Sequence, residues 1–335
     1  MAESLPTNTR LTYSAIGIRE DLSNIIYNIS PMDTPFVNGC GRGSCDNTLF
    51  EWQTDELAAA AVNFQKEGYD IDAKAVAEPR RLSNYTQISA TKVQTSGTAE
   101  AVDFAGRKSS QAYQLAKRAK ELKRDMEFML LMGTAKDAGA SGSARNTGAY
   151  STWIGTNSTS TSPVIAASTG AGLANSGAST YPDGTTSAGT GGADTAITLA
   201  MINTCVGRIW DLGGSPDTIL CKSDVKQTIS SSSVGGSVVA DLYKDVGSKD
   251  SPATAVNAVD VLVTDFGTFK IIPDRFLPDG NCDVIDFDLW SIDYLRPFRT
   301  ETLAKSGDSV KQMLIAEYGL RAKNGSGSGQ VKSAI

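Results

Sequence analysis

A chain of 335 residues with an apolar share of 40% can bury the core of two compact domains or one elaborate one, yet its longest apolar runs, such as Phe128 to Met132, fall far short of the roughly 20 residues a bilayer helix needs. A net charge of −6 argues against a protein whose main task is gripping nucleic acid, because that work needs clustered Lys and Arg. Histidine is absent, which excludes Ser-His-Asp and Cys-His catalysis, and Cys40, Cys45, Cys205, Cys221 and Cys282 are too irregularly spaced for the usual zinc sites and read as reduced structural thiols.

The opening, MAESLPTNTRLTYSAIG, has no basic head, apolar centre or small-residue cleavage site, so a secretory route is not expected and the sequons at Asn28, Asn84 and Asn157 read as accidental. Between Glu20 and Ser30, Leu22, Ile25, Ile26 and Ile29 recur at helical spacing, and Pro31 ends whatever helix they form. After Pro35, the cluster Gly39-Cys40-Gly41-Arg42-Gly43 is a turn or an extended connector. It lacks the preceding strand and the following Lys-Ser/Thr and helix of a phosphate loop.

From Thr48 to Thr54 the chain alternates, Phe50 and Trp52 against Glu51 and Gln53, which predicts a strand. A second extended run, Asn84 to Thr95, has two largely polar faces. The stretch between them carries Gly68 and Pro79 and reads as a mobile tip. The two runs predict a long hairpin without a core of its own, which must lie on something else.

Ala112, Leu115, Ala116, Ala119, Leu122, Met126 and Met129 then recur at three and four residues. They predict a helix of about 24 residues, roughly 36 Å long, capped by Ser109 or Ser110 and ended by Gly133. Its Lys117, Lys120, Lys123 and Arg124 face is interrupted by Glu121, Asp125 and Glu127, so it reads as a solvated or subunit-facing surface, with a weak electrostatic contact as the alternative. Between Ala138 and Asp194 the composition turns to Gly, Ser, Thr and Ala, with Tyr150, Trp153, Ile154 and Tyr181 as isolated anchors. Such a segment predicts a long excursion on the outer surface rather than a domain. Ser141 misses the G-x-S-x-G elbow pattern.

Order returns with Leu199, Ile202, Val206 and Ile209 on one helical face that Gly213-Gly214 ends. DTILC from Asp217 predicts a strand, Ser223 to Ile229 a helix, and VDVLVTD, TFKIIPD and CDVIDFD three more strands, together an α/β module. LWSIDYLRPF and SVKQMLIAEYGLRAK read as long paired strands around a turn at Lys305-Ser306-Gly307-Asp308.

Asp283, Asp286, Asp288 and Asp293 form the most metal-like cluster, with Asp286 and Asp288 on one strand face, but EF-hand spacing is missing and a solvated sheet edge is the better reading. The pair Asp70 and Asp72 sits in the hairpin tip, where nothing holds catalytic geometry. No active site and no cofactor are expected. What remains is a chain of arms and hairpins that need partners, and in a one-component assembly the partner is another copy.

REDLSNIIYNISPMDTPFVNGCGRG, NTLFEWQTDEL, RIWDLGGSPDTILC, VTDFGTFKIIPDRFLPDG and ETLAKSGDSVKQMLIAEYGLRAKN together resemble the major capsid proteins of tailed double-stranded DNA bacteriophages, which have the HK97-like fold. The resemblance covers most of the chain outside Ala138 to Asp194. It implies an α+β fold with an N-arm over 1–47, an E-loop hairpin over 48–97, a peripheral domain with its spine helix over 98–137, the Ser/Gly/Thr-rich insertion over 138–194, an axial α/β domain over 195–288 and closing peripheral strands over 289–335. It further implies self-assembly into hexamers and pentamers of an icosahedral head in the host cytoplasm, enclosing double-stranded DNA held by weak non-specific contact, without membrane.

Portal, decoration and scaffolding proteins are the implied partners; with little chain before Arg19, the scaffold is expected as a separate protein. The implied inter-subunit residues are Leu22, Ile25 and Ile26, which dock the arm, Pro31 and Pro35, which set its direction, Trp52 at the hairpin base, and Lys66, Tyr69, Arg80 and Arg81 along the loop. Lys66 and Lys74 lie where some members form isopeptide bonds, but no matching Asn and acid accompany them. The alternatives are an encapsulin-type compartment shell, a carboxylate-metal hydrolase using Asp286 and Asp288, and a secreted Ser/Thr-rich adhesin.

Overall fold

The computed structural model describes residues 33–58, 60–70, 78–104, 108–156, 158, 160–168, 171–173, 182–186, 195–231 and 260–333. Their strands and α-helices run, in chain order, α1 (Pro35–Gly39), β1 (Gly41–Ser44), β2 (Leu49–Thr54), β3 (Arg80–Tyr85), β4 (Gln87–Ser96), α2 (Gly97–Ala101), α3 (Ser110–Leu131), β5 (Val164–Ala166), α4 (Leu199–Asp211), β6 (Thr218–Cys221), α5 (Ser223–Ser231), β7 (Val261–Thr264), β8 (Gly267–Pro273), β9 (Asn281–Ile285), β10 (Trp290–Thr302), β11 (Ser309–Ala322) and β12 (Gly329–Lys332). They form a four-stranded sheet ordered β1-β10-β11-β4, a six-stranded mixed sheet ordered β5-β12-β9-β6-β8-β7, and the two-stranded hairpin β2-β3. Among the described residues no helix is long and apolar enough to cross a membrane.

The long helix forms where its pattern places it. Ser109 caps α3, its Oγ accepting from Ala112 N at 3.2 Å, and Gly133, at φ +83°, lies just beyond its C-terminal end. Only its C-terminal half follows the expected apolar face, burying Leu122, Met126, Leu130 and Leu131. The N-terminal half leaves Ala112 and Ala116 exposed. There it is held by polar contacts, Thr95 Oγ1 donating to Gln111 Oε1 at 2.5 Å and Gln111 Nε2 to Gln312 Oε1 at 3.2 Å.

Strands β10 and β11 pair antiparallel as expected, around Gly307 at φ +84°. The register of β10 slips between Tyr294 and Arg296 and again between Arg296 and Arg299, the second slip spanning Pro297, which has no N–H for the ladder. Two clusters make the core. One packs Phe36, Met126, Tyr150, Trp153, Trp290 and Tyr318, with the rings of Tyr150 and Trp290 4.7 Å apart. The other lies between α4, α5 and the six-stranded sheet, where Ile202, Val206 and Ile209 cover Ile219, Cys282 and Val284.

Three arrangements differ from the sequence expectation. The partner of β2 is β3, in register from Leu49↔Tyr85 to Thr54↔Arg80, while the polar run that follows becomes β4 and joins β11 as the outer strand of the four-stranded sheet. Alternation identifies strands but not their partners, and Thr86, fully buried, separates the two. Within the 138–194 stretch, the described segment from Thr147 to Ala167 is not a surface excursion: Tyr150, Trp153, Ile154 and all of β5 are buried, and β5 pairs with β12. The small residues of the stretch serve as a socket for aromatic rings; a Cβ on Gly184, itself at φ +81°, would meet the Trp153 ring. Finally, the chain leaves the closing strands after β11 and returns as β12 to the six-stranded sheet, between β5 and β9.

Candidate assembly surfaces

The hairpin is firmly seated at its base. Trp52 stacks on Phe50 with ring centroids 5.7 Å apart and lies against Trp153 at 5.3 Å, while the Arg321 guanidinium stands 5.8 Å and 5.9 Å from the Phe50 and Trp52 rings. Asn84 supplies the polar half of the joint. It is fully buried, donates to Leu320 O (2.6 Å) and Thr147 Oγ1 (2.9 Å), and accepts from Gly148 N and Tyr85 N, both at 2.9 Å. Asn84→Ala is expected to lower folding stability by about 3 kcal/mol, since it orphans several buried groups at once. Urea unfolding measures this, and a loss below about 1 kcal/mol would show that the joint is held by the aromatic stack alone.

Beyond Thr54 the support ends. Leu57, Val62 and Phe64 are 94%, 79% and 85% exposed, with Lys66 and Tyr69 in the same tip. The tip turns at Gly68, φ +79°, where Tyr69 N donates to Lys66 O at 3.1 Å. Arg80 pairs with Glu56 at 3.6 Å and Arg81 with Glu51, both across the hairpin and exposed enough to contribute little to stability.

Leu22, Ile25, Ile26, Ile29 and Pro31 lie outside the described residues, as do Lys74, Asp72 and Tyr181. Pro35 occupies the first turn of α1, where its missing N–H costs nothing. The helix has no side-chain cap of its own; Glu127 from α3 reaches across, its two carboxylate oxygens accepting from Phe36 N and Val37 N at 2.7 Å each. Glu127 also shares a hydrogen bond with Asp274, at the end of β8. Both Glu127 oxygens accept from backbone amides, and the Oδ2 of the neighbouring Asp274 is buried without a hydrogen-bond partner. Burial above all, then the Asp274 charge, pushes the Glu127 titration up to about 8.

A second exposed apolar patch lies at the outer strand of the six-stranded sheet. Val261 and Val263 of β7 project outward, with Trp210 of α4, 59% exposed, 5.8 Å from the Phe266 ring. The alternation in VDVLVTD contains the signal, but not which face is covered.

The aspartates do not form a metal site. Asp283 is buried and accepts from Gln330 Nε2 at 2.5 Å; Asp286 begins a 3-10 turn instead of sharing a strand face with Asp288, accepting from Asp288 N at 3.0 Å; Asp293 pairs with Arg321. Strand β9 ends at Ile285, which breaks the alternation the sequence implied. Among the described residues no three His, Cys, Asp or Glu side chains are grouped to hold a metal ion.

A family model described as SU10 major capsid protein matches residues 5–334. The chain is 30% identical over 347 residues to the major capsid protein of Escherichia phage Phieco32, across 97% of this chain and 96% of that protein. Among solved structures, it is similar to the capsid of Cyanophage A-1(L), with TM-score 0.65 at 11% identity over 94% of this chain and 96% of that one. It is also similar to the capsid of a native GTA particle, with TM-score 0.60 at 12% identity over 97% of each chain.

Proposed function

Because this chain belongs to the SU10 major capsid protein family, we propose that the parts of it left without support are the joints of a phage shell. The chain is a capsid subunit with an α+β, HK97-like fold, and its place is the virion. The hairpin tip carries the reading further: Leu57, Val62 and Phe64 face water at the end of a rigid base, and a neighbouring copy can cover them. Each such side chain, once buried, contributes roughly 1.5–3 kcal/mol, and repetition over a closed shell makes modest contacts sufficient.

On this reading the subunits form hexamers and pentamers, and the β7 patch with Trp210 and Phe266 contributes to contacts near their centres. The enclosed double-stranded DNA meets the shell by weak, non-specific contact, in keeping with a net charge of −6. Portal, scaffolding and decoration proteins complete the set of partners, assembly takes place in the host cytoplasm, and the shell performs no catalysis.

The test replaces residues 57–78 by a short glycine linker, stopping before Arg80 because β3 and Asn84 belong to the folded base. A folded subunit that no longer forms shells, seen by electron microscopy and sedimentation, is expected. Shells of normal form and yield would overturn the role given to the tip.

A further inference from the structure

Three buried thiols, Cys205, Cys221 and Cys282, belong to the core between the helices and the six-stranded sheet, and shell formation as described uses none of them. Two stand directly opposite each other: in the antiparallel pairing of β6 with β9, Cys221 is the register partner of Cys282. The backbone fixes the kind of pair this is. The Cys221 carbonyl accepts from Asp274 N at 2.8 Å, on the β8 side. Within a strand the N–H and C=O of one residue point the same way, so Cys221 turns its backbone bonds away from β9. The pair is therefore of the non-hydrogen-bonded type, with side chains on one face and Cα atoms about 4.5 Å apart. That separation falls inside the roughly 4.4–6.8 Å range that disulfides span. Cys205 is placed differently, on α4, where its Sγ donates to Pro163 O at 3.1 Å.

We propose that Cys221 and Cys282 are a cross-strand disulfide site, reduced in the structure and oxidised after folding by a small disulfide such as oxidised glutathione. The Cys221 thiolate attacks the small disulfide, forming a mixed disulfide and releasing one small thiolate. The Cys282 thiolate then attacks the Cys221 sulfur and releases the second. Two protein thiols lose two protons and two electrons, and the small disulfide is reduced to two thiols.

Cys221 is the first to react because it ends β6, immediately before α5, while Cys282 lies inside its strand. Burial pushes its thiol up to about 11, with Lys226 drawing it down, and raises Cys282 well above the ordinary range, so oxidation is slow. The bond would close the long loop from 222 to 281, constraining the unfolded chain. Its use rests on the proposed function: a particle built in a reducing cytoplasm and released into an oxidising medium would have its sheet locked after assembly rather than before.

The experiment incubates the purified full-length chain and its shells with oxidised glutathione, maps peptides without reductant, and labels parallel samples with iodoacetamide to follow access to each thiol. A Cys221–Cys282 link, loss of two of the five free thiols, and a thermal midpoint raised by roughly 5 °C are expected, also in Cys205→Ser but in neither Cys221→Ser nor Cys282→Ser. A link from Cys282 to Cys205 would overturn the proposal. So would five intact thiols, whether the same thiols alkylate readily or stay unreactive for days. If the link forms but oxidised shells melt like reduced ones, only its use in the particle is lost; if shells form without the link, the shell reading stands and the site does not.

Discussion

Glu317→Ala is expected to lower folding stability by about 3–5 kcal/mol, read as a fall in the urea midpoint with little change in slope. Glu317 lies in β11, 3% exposed, at the meeting point of elements far apart in sequence. It accepts from Arg145 Nη2 at 2.5 Å, from Arg296 Nε on the neighbouring β10 at 2.7 Å, and from Thr86 Oγ1 at 2.9 Å. Deleting the carboxylate leaves two partly buried guanidinium groups facing each other without an anion. That residual repulsion and desolvation, more than the lost hydrogen bonds, sets the size of the effect. The comparison is Glu301→Ala, which breaks the exposed Arg299–Glu301 pair of 2.7 Å and is expected to cost under about 1 kcal/mol. Equal effects at the two sites would show that Glu317 is not the clamp its contacts describe.

Raising the pH from about 6 to about 9 is expected to destabilise the folded chain by several kcal/mol, on the order of 1.4 kcal/mol for each pH unit over which it holds one proton more than the unfolded chain. In the unfolded chain Glu127, Asp274 and Asp283 give up their protons near pH 4, roughly the ordinary carboxylate value. In the folded chain the Glu127–Asp274 pair keeps one proton up to about 8, and burial above all holds the Asp283 proton up to about 7. Between those limits the folded state binds more protons than the unfolded one. Stability is therefore complete below the unfolded values and is lost as pH rises through 7 and 8. The absence of histidine leaves the window unusually clean, because no ordinary side chain titrates there. Glu127→Gln should remove the upper step, Asp274→Asn should move it to lower pH, and Asp283→Asn should remove the lower step. A wild-type chain equally stable at both ends of the range would mean that Glu127 and Asp274 are both charged.

Local signals in the sequence were enough to place many elements. Ser109 and Gly133 bracket α3, Gly307 turns β10 into β11, and the apolar face of α4 faces the core, because each depends on neighbours a few residues away. Pairing depends on the whole chain, which is why β3 replaced the longer polar run as the partner of β2 and why β12 had no visible signal. Buried polar residues were hidden for another reason. Glu127 interrupts what reads as a solvated basic stripe, and Asn84 opens a run with two polar faces, yet both are fully buried. Their partners, the α1 amides for Glu127 and the Thr147 hydroxyl and Gly148 N–H for Asn84, come from distant segments that no periodicity announces. Of the expected joint residues, Lys66 and Tyr69 are exposed in the tip, and Trp52 packs on Trp153 of the same chain.

The place of β12 has a consequence for how the subunit is made. It separates β5 from β9, and β5 has no other strand neighbour in the sheet. More than 150 residues lie between Ala166 and Gly329, so at about 5–20 residues per second a nascent chain holds β5 without its β12 partner for roughly 10–30 s of translation, paired on its other edge only with residues 171–173. The edge of β5 that faces β12 is bare throughout that interval, and that of β9 from its own synthesis to that of β12, each open to wrong partners on neighbouring ribosomes. A fragment released before Gly329 never closes the gap. The ribosome's last products for this sheet thus act as an inspection step, and prematurely ended chains are expected to be left out of the particle.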